Sequence, residues 1–141
     1  MGVIRSADHM KDFKILIGRW RGEGTVRRDP VTAEIRATAE PDGSIVLDHV
    51  TRRAGAEDHR ERIVIREHRG RVSAFIRSGS GPEQRFQSVA HAAGWRFTRS
   101  DPRAGFMAWE IERDGDALRE RFVLGEGAAA ETVVSLRHER A

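Results

Sequence analysis

Turn-forming clusters recur along this chain at short, nearly even intervals: RDP at 28–30, PDG at 41–43, AGAE at 54–57, HRG at 68–70 and GSGP at 79–82. They continue with AAG at 92–94, DPRAG at 101–105, DGD at 114–116 and GEGAAA at 125–130. Glycine, proline and aspartate punctuate a chain because each favours a backbone geometry that helices and strands avoid. Nine breaks divide the chain beyond residue 18 into ten short segments. Intervals of roughly 8–12 residues suit antiparallel strands linked by hairpins, and they leave no room for the crossover helices that a parallel sheet requires.

Alternation inside the segments supports this reading. Val31, Ala33, Ile35 and Ala37 interleave with Thr32, Glu34, Arg36 and Thr38, so one face of that strand is apolar. The pattern returns in Val72, Ala74 and Ile76, in Trp95 and Phe97, in Met107, Trp109 and Ile111, and in Leu118, Phe122 and Leu124. A meander with one dry face leaves two exposed edges when open, and closing it removes them. The expected fold is therefore all-β: an antiparallel up-and-down β-barrel of about ten strands across 18–140, in a single domain spanning 1–141. A sandwich is the competing arrangement. Ahead of the strands, Met10, Phe13, Leu16 and Ile17 recur at helical spacing, with Ser6 as N-cap and Gly18 as a stop. This predicts one short amphipathic helix over about 6–17.

Composition narrows the chemistry. The 141 residues include no cysteine, which excludes disulfides, thiolate metal sites and a cysteine nucleophile. Lysine and arginine number 25 against 22 acidic residues, and the signs interleave, as in EDHRERIVIREHRGR. That is the pattern of a solvated face laced with ion pairs, so no nucleic-acid partner is expected. No stretch approaches the ~18 apolar residues of a membrane span, and MGVIRSADHM lacks the apolar core of a signal peptide. The chain reads as cytoplasmic.

The segment IGRWRGEG, residues 17–24, is more specific. A helix followed by Gly18, Trp20, Gly22 and Gly24 resembles the opening of calycin-type domains: lipocalins, fatty-acid-binding proteins and, nearest, nitrobindin-like and bacterial lipocalin-like domains. The resemblance implies that Trp20 packs across one end of a barrel, and that its glycines let the strand bend and lie close to its neighbours. It also implies non-enzymatic binding, carriage or sensing of a small hydrophobic or amphipathic molecule. Trp20, His49, Phe97, Trp109 and Phe122 are the candidate ligand-contacting residues; His49 is included because it shares a strand face with Ile45 and Leu47. The nitrobindin resemblance implies haem held by a histidine near the chain's end. His138 is the candidate, although its charged flanks, RHER, depart from that pattern and suit a surface histidine.

Other motifs carry less. Six histidines occur without H-E-x-x-H spacing, so no metal site is expected. His59 and Glu61 share a strand parity and are read as part of a charged outer face, and Glu110 with Glu112 is read as facing water. Ser80 lacks the G-x-S-x-G context, and LGEGAAAE has too few residues after it for a dinucleotide-binding unit. An enzyme using His49 or His91 as acid or base, and a solid barrel that pairs with itself as a homodimer, remain as alternatives.

Overall fold

A computed structural model describes residues 10–89, 91, 93–102 and 105–141. A 3₁₀ helix, Met10–Leu16, precedes ten strands: β1 (Gly18–Val26), β2 (Asp29–Ala39), β3 (Ile45–Arg52), β4 (His59–His68), β5 (Arg71–Ser78), β6 (Gln84–Val89), β7 (Trp95–Asp101), β8 (Gly105–Asp114), β9 (Ala117–Leu124) and β10 (Glu131–Arg140). Each strand pairs antiparallel with the next, and β1 pairs with β10, which closes the barrel. The up-and-down barrel with one short N-terminal helix is the fold that turn spacing and alternation predict. A closed barrel of this kind is consistent with a calycin-like fold.

The helix differs in form from the expectation: its described turns are 3₁₀. Ser6, the expected cap, lies outside the described residues. The first hairpin differs too. The chain reverses at Arg27 and Arg28, both with positive φ (46° and 78°), and Pro30 already belongs to β2, opposite Thr25. A two-residue hairpin turn with both φ values positive matches the twist of the flanking strands. The proline sits at the strand's start, where a missing N–H is tolerated.

Core residues follow the strand parity. Val31, Ala33, Ile35 and Ala37 are buried, as are Val72, Ala74, Ile76, Phe97, Trp109, Ile111 and Leu118. The 3₁₀ helix closes one end by sending Phe13 and Leu16 inward. From Phe13 an aromatic column continues along the interior: Phe13 to Phe97 at 5.9 Å between ring centroids, Phe97 to Trp109 at 5.3 Å, and Trp109 to Phe122 at 6.2 Å. Such offset contacts add stabilisation beyond the area they bury.

The segment IGRWRGEG now has a physical explanation, because Trp20, Gly22 and Gly24 all occupy inward positions of β1. Trp20 seals the helix end: its Nε1–H donates to the Leu16 carbonyl at 2.8 Å. Its ring lies 4.1 Å beneath the Arg140 guanidinium, which donates to the carbonyls of Ile17 and Ile15 at 2.6 and 2.7 Å. Gly22 faces His138 across the seam, and a Cβ there would stand 2.7 Å from its Cε1. Gly24 lies under the β10 backbone, where a Cβ would meet the Leu136 Cα at 2.9 Å. The glycines of this motif thus clear room for the closing strand.

Candidate functional site

Midway along the barrel the apolar interior is interrupted by three polar side chains. His49 on β3, Glu120 on β9 and His138 on β10 are 2%, 0% and 0% exposed. His49 Nε2 lies 2.7 Å from Glu120 Oε1, and His138 Nε2 lies 2.9 Å from the same oxygen. The second carboxylate oxygen, Oε2, accepts the Trp109 indole N–H at 2.8 Å. A buried carboxylate is expensive unless its lone pairs are occupied, and here three donors from three strands occupy them.

The electrostatics follow from this packing. Burial opposes ionisation of Glu120, but the charge of His49 and the hydrogen bonds from His138 and His49 outweigh it, holding the carboxyl far below its ordinary range. Burial likewise opposes a charge on His49. The field and hydrogen bond of Glu120, with Glu61 beyond it, raise its pKa above the ordinary 6.5. An ionised carboxylate only accepts, so both imidazoles present Nε2–H to it. Neither Nδ1 has a hydrogen-bond partner within the protein.

Above the cluster, at the end opposite the helix, the barrel holds a cavity of about 370 Å³. His49 contributes to its lining. Val26, Val31, Phe122, Leu124, Val133 and Val134 form an apolar wall, and Thr51, Glu61, His59, Glu57 and Arg53 form a polar one. A register shift between Thr132 and Val134 interrupts β10 at this mouth, and the Val133 carbonyl there accepts the Arg27 N–H at 2.9 Å. Bulges of this kind are common at barrel rims.

The candidate residues separate into groups. His49 and Phe122 line the cavity. Phe97 and Trp109, both fully buried, belong to the aromatic column, and Trp20 belongs to the seal at the helix end. His91 sits outside the barrel, 4.0 Å from Glu110, whose carboxylate also takes Arg96 and Arg121. Two expectations are corrected. His138 is not a surface histidine: Arg137 and Glu139 point outward, whereas position 138 shares the inward parity of Leu136. His59 and Glu61 do not belong to the outer face, because they share the inward parity of Ile63 and Ile65 and reach the cavity where the barrel opens.

Glu120 was missed by sequence reasoning. Its signal was present, since Glu120 falls at the inward position between Leu118 and Phe122. Compared with protein-family models and with curated proteins, the chain matches no family and no relative. No helix among the described residues is long and apolar enough to cross a membrane. The class defined by fold and site is a closed ten-stranded antiparallel barrel with a buried histidine–carboxylate cluster beneath an open cavity.

Proposed function

We propose that the protein binds a small amphipathic molecule end-on in the mouth of the barrel. The observation that carries this reading is the two-sided lining of the 370 Å³ cavity, valines, leucine and Phe122 against Thr51, His59 and Glu61, with buried His49 in its lining. Ligand sites are commonly apolar concavities with a few placed polar groups, and this volume lies at the small end of their range. The apolar body of the ligand lies along Phe122, Leu124 and Val134; its polar end meets Thr51, His59 and Glu61. Carriage or sensing of such a molecule by a calycin-like domain is the role this supports. The closed barrel and the position of Trp20 are in keeping with it.

The surroundings of His138 lend no support to haem binding. Its Nε2 is engaged by Glu120, its other edge rests against Gly22, and it does not line the cavity. A fluorescent amphiphile such as anilinonaphthalene sulfonate tests the reading. It should bind saturably at one site, be displaced by unlabelled fatty acids or other amphiphiles, and be lost in Val134→Arg, which fills the mouth. Binding that survives this block, or no saturable binding by wild-type protein, overturns the proposal.

A further inference from the structure

The interior cluster has a geometry that hydrogen bonding alone does not require. A carboxylate offers two oxygens with about four acceptor positions, so three donors need not crowd. Yet both imidazole Nε2 atoms converge on Oε1, and the Trp109 N–H alone holds Oε2. We propose that His49 Nε2, His138 Nε2 and the Glu120 carboxylate bind one divalent transition ion, of the zinc class, within the barrel. One ligand atom from each residue lies within 4.8 Å of the others. Bonds of about 2.0–2.1 Å to a tetrahedral ion place its ligand atoms roughly 3.3 Å apart, within reach of small side-chain rotations.

The donor set selects the metal. Two imidazoles and one carboxylate, in a chain without cysteine, suit Zn²⁺, Co²⁺ or Fe²⁺ better than the all-oxygen preference of Mg²⁺ or Ca²⁺. Coordination through Nε2 requires each neutral ring to carry its proton on Nδ1, and both Nδ1 atoms are free of protein partners. The surrounding shell is built on the side of the carboxylate, while the two Nδ1–H groups of a metal-bound cluster are left for water. Trp109 orients the carboxylate through Oε2, and Gly22 leaves space for the His138 ring. His49 stands at right angles to His138, with ring centroids 6.0 Å apart. Three protein ligands leave a fourth position, and the cavity beside His49 provides the path to it. This inference goes beyond the amphiphile reading and stands without it.

The test uses the full chain, stripped with chelator and titrated with Co²⁺ or Zn²⁺ alone. One equivalent should bind per chain, and Co²⁺ should show the intense visible bands of a four-coordinate ion. His49→Gln and His138→Gln should each weaken binding by about 100-fold or more, and Trp109→Phe, which keeps a ring but drops the indole donor, by about 10-fold. Absence of stoichiometric binding, or binding undiminished in both histidine variants, overturns the proposal. Wild-type protein decides if those variants fail to melt cooperatively. Zn²⁺ must then perturb the imidazole resonances of His49 and His138 and leave those of His59, His68 and His91 in place; perturbation of the latter alone overturns it.

Discussion

Gly22 and His138 are partners across the seam of the barrel: the imidazole occupies the space in which any larger residue at position 22 would place its side chain. The absence of a side chain on β1 and the presence of a ring on β10 are one packing decision, made by residues 116 positions apart (138 − 22). The same placement brings the ring to Glu120.

Gly22→Ala should therefore destabilise the protein by about 2–3 kcal/mol, the usual scale for overpacking a rigid interior. Urea unfolding monitored by tryptophan fluorescence measures it. In a His138→Ala background the same change should cost much less, because the clashing ring is gone. Equal costs in the two backgrounds would show that the two residues are uncoupled.

Glu120→Ala removes the acceptor of three buried donors. The expected loss is about 3–5 kcal/mol, since the buried His49, His138 and Trp109 side chains are left without their shared acceptor. Glu120→Gln keeps one carbonyl acceptor and should fall between wild type and alanine. Calorimetric melting of the three proteins gives the order, and a glutamine variant below alanine would contradict it.

The buried pair also sets a pH profile for the metal-free protein. Glu120 has a folded pKa below its ordinary 4.5, so its contribution is complete above that value and is lost as pH falls through the lower folded one. His49 has a folded pKa above 6.5, so its contribution is complete below 6.5 and is lost as pH rises through the higher folded one. Their joint contribution is greatest between 4.5 and 6.5 and declines on the alkaline side. Urea midpoints across pH, as the difference between wild type and His49→Gln, isolate this term. A difference that keeps growing above 6.5 would refute the assignment.

The Arg27–Arg28 turn points the other way, toward a gain. Both residues hold left-handed backbone, which side chains with a Cβ adopt at a cost. The double substitution Arg27→Asn with Arg28→Gly supplies the residue pair that such a turn favours, and should stabilise the hairpin by about 1 kcal/mol. Thermal denaturation reads the change directly, and an unchanged or lower midpoint would count against strain at this turn.

That turn also shows where the sequence misleads. With no glycine or asparagine to mark it, the pattern puts the break at RDP, 28–30, one residue late: the turn is Arg27–Arg28, and Asp29 and Pro30 already belong to β2. Elsewhere the punctuation carries its own chemistry, and the alternation of β2, β5 and β8 exposes the apolar face, so the strand number and barrel closure were legible. The site was not. Glu120 lies in LRERF and His138 in RHER, where charged neighbours on the outward face disguise a polar residue on the inward one. Parity alone places both inside, but composition argues for water. Only the meeting of β3, β9 and β10 shows that the cost of burying each is offset by the others.

Nine of the ten strand pairings join neighbours in sequence, and only β1 with β10 does not. A chain halted or cleaved before β10 would keep its hairpins yet present β1 as a bare ribbon, with Gly22 and Gly24 offering no bulk to deter a stranger. Such a fragment should recruit the last strand of another copy, so exchange of ends between molecules is the failure to which this architecture is most exposed.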